Sequence, residues 1–341
     1  MEFREYVPLA PYTTFHIGGP ARWFAEAASE DDVLEAVQFA RKHDLQLFIL
    51  GGGSNLLVSD KGFPGLVLHI ANKGVEQEED VFRVAAGEEW DGFVSHAVAK
   101  NYAGIECLAG IPGTVGGTPV QNVGAYGQEV AETIVAVRVL DLTTLRFEEL
   151  APQQCGFAYR ISMFNSTARG RYIVTSVDYK LTPNGAPRIS YADLKKYFGE
   201  AIPPSLAEVS AAVREIRRGK GMLIVAGDPD CRSAGSFFKN PVVSLEHFIR
   251  IAAQHGDDVP HYPAPNHAIK LPAAWLLDQA GFHKGYTLGH AGISSRHTLA
   301  LINRGDARAA DILALRDRIV AEVEKRFGIR LEPEPVWLGP A

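Results

Sequence analysis

Apolar residues recur along this chain at two spacings, and each predicts a different element. Val33, Ala36, Val37 and Ala40 fall on one face of a 3.6-residue repeat. Ser29 stands where a cap is needed and Asp31 and Asp32 in the first turn, so a helix is expected there. A second helix is expected near 90–100. A third starts at Ser205, which forms a capping box with Glu208 ahead of Leu206, Val209, Val213 and Ile216. Helical patterns follow at 244–254, 271–280 and 306–327, the last two stopped by Gly281 and Gly328. Short apolar or β-branched runs predict strands at 45–50, read as buried, and at 66–70, 81–86, 133–140 and 171–181. Residues 13–24 set a Gly-Gly-Pro turn between two short extended pieces, and prolines make 329–339 an extended terminal segment.

Residues 104–127, GIECLAGIPGTVGGTPVQNVGAYG, fit neither pattern. Glycine stands at 110, 113, 116, 117, 124 and 127, and Pro112 and Pro119 stiffen the run. Glycine lets a ligand touch bare backbone, and proline limits how far the loop can move. Glu106 is the only charged residue in the stretch, so a phosphate here would have to be held by backbone N–H groups. The competing reading is a turn-rich surface loop; Ile111, Val115, Val120 and Val123 argue against a disordered linker. A second glycine turn, GGGSN at 51–55, follows the strand at 45–50. It is not a dinucleotide fingerprint, because Leu56 stands where the third glycine of G-x-G-x-x-G belongs, and no phosphate-binding GxxxxGK[ST] occurs.

The 341 residues suffice for two or three domains, and a net charge of -6 argues against a nucleic-acid partner. Cys107, Cys155 and Cys231 are far apart and odd in number, which suits a reducing compartment. Neither a signal peptide nor a run of about twenty apolar residues is visible, so a cytoplasmic protein with no membrane partner is expected. His255, His261 and His267 fit no standard metal spacing, and no metal is expected. The helix from Ser205 ends in REIRRGKG, a cationic cluster that either complements the helix dipole or binds phosphate.

TFHIGG at 14–19, LGGGSNLLV at 50–58, GIPGTVGGTPVQNVGAYG at 110–127, FAYRISMF at 157–164, SAGSFFKNP at 233–241 and LEPEP at 331–335 occur in this order. Together they resemble the UDP-N-acetylenolpyruvoylglucosamine reductase (MurB) family of bacterial cell-wall precursor synthesis, over nearly the whole chain. RISYADL, with Tyr191, resembles the longer of that family's two forms. The resemblance implies an α+β fold: a two-lobed FAD-binding domain of the PCMH (vanillyl-alcohol-oxidase-like) type and a C-terminal α+β substrate domain. Expected boundaries are 14–183 with a lobe break near 70, 205–328 for the substrate domain, and 329–341 as a segment returning to the active site. It also implies that NADPH reduces FAD and that hydride then passes to the enolpyruvyl group of UDP-GlcNAc-enolpyruvate, giving UDP-N-acetylmuramate. With no histidine in the glycine stretch and only Cys107 near it, the flavin is expected to be noncovalent; the protein is expected to be a monomer.

Carried over by resemblance, the cofactor-binding residues are Gly51, Gly53, Ser54, Asn55, Ile111, Pro112, Gly113, Gly116, Gly117, Gln121, Asn122, Gly124 and Ala125. Tyr159, Tyr191, Lys220, Asn240, Tyr262 and Lys270 match substrate-binding positions. The segment 221–232 is longer than the loop many relatives show. Arg160, Ser236 and Glu334 match the catalytic residues: Arg160 and Glu334 stabilise an enolate conjugated with the substrate carboxylate, and Ser236 protonates the neighbouring carbon. Taken one at a time, Arg160 also reads as a structural ion-pair partner, Ser236 as a turn hydroxyl and Glu334 as a solvated tail residue. A flavin oxidase acting on an alcohol or sugar and a non-catalytic sugar-nucleotide sensor are the competing functions.

Overall fold

The computed structural model describes residues 1–199, 203–256 and 259–339, so the end of the expected terminal segment, Pro340 and Ala341, lies outside the described residues. The chain forms two compact units. The first is built from Met1–Val7, Pro20–Gly53 and Phe63–Gly219; the second from Pro8–Gly19, Ser54–Gly62 and the chain from Lys220 onward.

Among the described residues the first unit carries a four-stranded and a five-stranded sheet. In the former, Arg4–Pro8, Pro20–Ala27, Phe63–Ile70 and Leu47–Leu50 lie in that order, the last three parallel. The crossover is the helix Glu30–Lys42, which forms as its sequence predicts: Ser29 Oγ accepts from Asp32 N at 3.1 Å, and Val33, Ala36, Val37 and Ala40 are buried. The buried strand expected at 45–50 forms as Leu47–Leu50. It lies at the sheet edge, however, and only Leu50 is fully buried.

The five-stranded antiparallel sheet runs Arg146–Leu150, Ile134–Asp141, Tyr172–Lys180, Val81–Ala85, Val75–Glu78. Its two outer strands, RFEEL and VEQE, have no apolar alternation to announce them; charge at a sheet edge discourages pairing with other chains. One continuous apolar core joins both sheets, from Ala36 and Leu68 through Phe82, Trp90, Leu108 and Val115 to Val213. The helix Leu206–Gly219, expected within the second domain, packs into this core through Val209, Ala212 and Val213. Its capping box forms, with Ser205 N donating to Glu208 at 2.7 Å and Glu208 N to Ser205 Oγ at 3.2 Å.

The second unit has its own core, which includes Phe15, Leu57, Phe237, Phe238, Leu276, Ile312, Ile319 and Phe327. Its longest helix, Ala309–Phe327, starts where Asp60 accepts from Ala309 N at 2.8 Å and Ala310 N at 3.2 Å, and it ends at left-handed Gly328, φ 64°. Val336–Leu338 pairs in parallel with Leu56–Val58, so the terminal segment is a strand rather than a solvated tail. Among the described residues no helix is long and apolar enough to cross a membrane.

A polar clamp ties the crossover helix to the five-stranded sheet. Glu30 accepts from Arg138 Nε at 2.7 Å and Nη2 at 2.9 Å, and from Thr175 Oγ1 at 2.7 Å. The Arg138 hydrogen bond outweighs partial burial and holds the Glu30 carboxyl below its ordinary value of 4.5. A carboxyl whose folded pKa lies below its unfolded one contributes stability above the unfolded value, and that contribution fades as pH falls through the folded value. Glu30→Gln is therefore expected to cost about 1–2 kcal/mol at pH 7, discounted for partial exposure. Its deficit should shrink below about pH 4. Denaturant midpoints of both proteins at pH 7 and pH 3.5 check this; an equal deficit at the two pH values would refute the charged clamp.

Candidate active site

The glycine stretch is held from several directions. Glu106, its one carboxylate, is fully buried and accepts from Gly104 N at 2.8 Å, Gln128 Nε2 at 2.8 Å and Arg188 N at 2.9 Å. It therefore shapes the loop rather than facing a ligand. Asp91, on the helix Trp90–Ala99, accepts from Gly110 N at 2.6 Å and from Arg214 Nη2 at 2.6 Å. Arg217 Nε donates to Gly110 O at 3.1 Å. Burial pushes the Arg217 guanidinium below its ordinary range, and a hydrogen bond with Tyr126 opposes that shift. At least two arginines of the cationic helix end thus restrain the glycine stretch.

What remains of the two glycine turns is backbone. A Cβ on Gly52 would lie 2.6 Å from Gly113 Cα, and one on Gly51 2.7 Å from Thr114 Oγ1, so the turns meet without room for side chains. Among the described residues, the N–H groups of Gly52, Gly53, Gly113 and Thr114 have no protein acceptor. Four undirected donors on two touching turns suit an anionic group held by main chain. FAD, with its pyrophosphate, fits these residues. The glycines are not equivalent, however. A Cβ at Gly116 would fall 2.7 Å from Ala86 Cβ and one at Gly124 2.7 Å from Glu129 Cγ, so there the protein itself fills the space. A Cβ at Gly117 would meet nothing within 4 Å. Gly117 is the position open to a ligand. Gln121 ends the short helix Gly117–Gln121, and left-handed Asn122, φ 40°, turns the chain toward Gly124 and Ala125. Ile111 and Pro112 lie half-buried ahead of it.

Arg160 sits on a tight turn against this stretch. Ala158 and Ile161 exchange both main-chain hydrogen bonds, at 2.9 and 3.0 Å, which leaves Tyr159 and Arg160 at the tip. The bonds that dock the turn include Asn122 Nδ2 to Ala158 O at 2.9 Å, Ser162 Oγ to Val120 O at 2.8 Å, and Arg160 Nη2 to Gly124 O at 2.7 Å and Nη1 to Asn122 O at 3.4 Å. Arg160 is left-handed, φ 57°, a conformation that non-glycine residues adopt only when their surroundings impose it. Its guanidinium also lies 5.6 Å from the Tyr159 ring centre. Tyr191 meets Tyr126 edge-on at 5.5 Å. Tyr126, buried and in contact with both Tyr191 and Arg217, received no role from sequence reasoning; its place inside GAYG was the available signal.

Ser236 and Glu334 belong to the second unit, where main-chain bonds bring them together. Glu334 N donates to Phe237 O at 2.8 Å and Lys239 N to Glu332 O at 3.0 Å, so SAGSFFKNP and LEPEP run side by side. Asn55 Nδ2 reaches Glu334 O at 3.4 Å, and Val336 N donates to Asn55 O at 2.9 Å. Ser54 adjoins this pairing. Three of the matched substrate residues gather nearby in the chain. Lys270 and Tyr262 are partners in a small sheet with Val242–Val243, Lys270 Nζ lies 5.9 Å from the Tyr262 ring centre, and Asn240 Oδ1 accepts from Ala273 N at 2.9 Å. Lys220 opens the second unit's long segment. Of the three histidines, His255 packs against the Trp275 and Phe327 rings and His261 bonds Val259 O. Among the described residues no group of three or more His, Cys, Asp or Glu could hold a metal ion.

Residues 21–144 match the family described as an FAD binding domain, and residues 228–338 match the family described as UDP-N-acetylenolpyruvoylglucosamine reductase, C-terminal domain. The UDP-N-acetylenolpyruvoylglucosamine reductase of Thermobifida fusca (strain YX) is 46% identical, over 99% of this chain and 98% of its own length. That of Salinispora arenicola (strain CNS-205) is 43% identical, over 98% and 95%. The crystal structure of UDP-N-acetylenolpyruvylglucosamine reductase (MurB) from Thermus caldophilus superposes with a TM-score of 0.69 at 28% identity, covering 99% of this chain and all of that one. Near-complete coverage in both directions, together with an FAD-binding domain followed by the family's own C-terminal domain, leaves one conclusion: the chain belongs to the UDP-N-acetylenolpyruvoylglucosamine reductase family.

Proposed function

We propose that this protein reduces the enolpyruvyl group of UDP-N-acetylglucosamine-enolpyruvate to UDP-N-acetylmuramate, with NADPH as reductant and noncovalent FAD as cofactor. The observation that carries the reading is a charge-free backbone surface at Gly52, Gly53, Gly113 and Thr114, with Arg160 docked on the same glycine stretch through Gly124. An anionic cofactor takes the backbone, and a substrate carboxylate takes the guanidinium. FAD, when bound, carries hydride from NADPH to the terminal vinyl carbon of the substrate. Gly51, Gly53, Ser54, Asn55, Ile111, Pro112, Gly113, Gly117, Gln121 and Ala125 would hold it, with Gly116 and Gly124 packing the stretch against protein and Asn122 turning the chain between them.

Once the vinyl carbon has gained hydride, negative charge spreads from the neighbouring carbon into the carboxylate. Arg160 stabilises that charge with a guanidinium already fixed on Gly124 O, so little reorganisation is needed as the charge develops. Ser236 gives the proton to the neighbouring carbon. Its segment is set by left-handed Gly235, φ 72°, and by Phe237 N bonded to Leu299 O at 2.8 Å. Glu334 beside a carboxylate acts as a neutral acid or through Arg160, because two bare anions would repel. Lys220 and Lys270 meet the substrate diphosphate as point charges, with Tyr159, Tyr191, Asn240 and Tyr262 as further contacts.

Ser236→Ala separates the two halves of this reaction. NADPH should bleach the flavin at close to the normal rate. Reoxidation by UDP-N-acetylglucosamine-enolpyruvate should slow by about 10²–10⁴-fold, the usual worth of a general acid. Stopped-flow absorbance measures both, and equal slowing of the two would remove Ser236 from proton donation. Arg160→Lys keeps the charge but loses the planar fork, so kcat should fall much more than substrate affinity; an unchanged kcat would take Arg160 out of the mechanism. Gly117→Val fills the open position without meeting protein atoms within 4 Å at its Cβ. Its thermal melt should stay close to that of the parent while flavin content after purification falls. Full flavin content would move the cofactor away from Gly117.

A further inference from the structure

The segment 221–232 has no part in the roles proposed above, yet it is cross-tied throughout. Cys231 Sγ donates to Leu223 O at 2.8 Å, and Asp228 accepts from Asp230 N at 3.0 Å. Asp230 is buried and accepts from Ser295 N at 3.1 Å, Ser295 Oγ at 2.7 Å and Arg296 Nε at 3.1 Å. Arg296 Nη2 also donates to Asp228, so one guanidinium spans both carboxylates. Gly221, left-handed at φ 65°, lies directly against this cluster: a Cβ there would stand 3.2 Å from Arg296 Nε and 3.3 Å from Ser294 Oγ and Asp230 Cβ. The residue before it is Lys220.

The other end of the segment rests on the same hairpin. Its strands are Ala291–Ile293 and Leu301–Asn303, joined by the turn that carries Ser294, Ser295 and Arg296. Phe237 N donates to Leu299 O at 2.8 Å, and Asn303 N donates to Arg232 O at 2.9 Å. A single turn therefore fixes the chain beside Lys220 at one side and beside Ser236 at the other. The two sides differ in kind. Neutral main-chain bonds hold the Ser236 side, whereas the Lys220 side lies against a cluster in which Asp230 takes two bonds from Ser295 and the Arg296 guanidinium offsets the repulsion between Asp228 and Asp230.

We propose that Arg296 is a positioning residue that sets Lys220 relative to Ser236, using the 294–300 turn as the template. The proposal rests on the reading of Lys220 as a contact to the substrate diphosphate. Without Arg296 the two carboxylates repel and the packing beneath Gly221 is lost, which shifts Lys220 while main-chain bonds keep the Ser236 side in place, so binding of the UDP-sugar suffers and proton donation does not.

Steady-state kinetics with UDP-N-acetylglucosamine-enolpyruvate as the varied substrate test this on the flavin-loaded enzyme. Arg296→Met is expected to raise KM by about ten-fold and to leave kcat within about two-fold. Flavin reduction by NADPH should be unchanged. Arg296→Lys, which keeps charge but not the fork, should recover part of the loss. Lys220→Ala should raise KM by itself, and adding Arg296→Met to it should raise KM by less than about two-fold more, because coupled residues do not add. Gly221→Ala, which pushes a methyl against the guanidinium, should raise KM in the same direction and serves if Arg296→Met does not fold. A normal KM in Lys220→Ala would overturn the diphosphate contact and the proposal with it. A raised KM in Lys220→Ala with a normal KM in Arg296→Met and Gly221→Ala, or multiplying effects in the double variant, would overturn the positioning role alone.

Discussion

A stretch with six glycines between 110 and 127 resists being ordered, and much of the first unit is arranged to order it. Fixing each residue's backbone costs about 1–2 kcal/mol in entropy, and glycine has the most freedom to lose. The restraints come as charged side chains placed beside main chain. Glu106 gathers donors from Gly104, Gln128 and Arg188, Asp91 takes Gly110 N, and Arg217 donates to Gly110 O. Glu106, the fully buried one, has its carboxylate satisfied by three hydrogen bonds, as a buried charge must. The consequence is a loop that keeps one shape, with its N–H groups at Gly113 and Thr114 lacking a protein acceptor among the described residues.

In the second unit the same need is met by main-chain register. The short excursion 54–62 supplies Leu56–Val58 to pair with the terminal strand and Asp60 to cap the longest helix. Glu334 is gripped on both sides, through its own N–H to Phe237 O and through Val336 N to Asn55 O. Hydrogen-bonded backbone leaves little freedom in where Glu334 stands relative to Ser236, although almost a hundred residues separate them in sequence. A glutamate between two prolines at a chain end thereby becomes a fixed part of the unit.

Two arginines illustrate how guanidinium geometry is used away from simple ion pairing. Arg160 is anchored on the Gly124 carbonyl, which fixes where its guanidinium stands on the glycine stretch. Arg296 joins two carboxylates and is spent on holding a segment in place.

The local pattern of residues determined much of this architecture. The helix Glu30–Lys42 with its Ser29 cap, the capping box at Ser205, the Gly328 stop and the β-branched strands Ile134–Asp141 and Tyr172–Lys180 are all legible, because caps and periodicity act between residues a few positions apart. The ordered glycine, FAYRISMF, SAGSFFKNP and LEPEP motifs likewise announced the family. Tertiary structure decided the rest. The outer strands Val75–Glu78 and Arg146–Leu150 carry charged side chains and form only because a neighbouring strand offers its ladder. The helix Leu206–Gly219 joined the first unit because its apolar face completes that core. Which glycines face protein and which face open space, and which arginine serves the loop rather than a ligand, depend on atoms brought close by packing. Those partners lie tens to hundreds of residues away, and no local pattern encodes them.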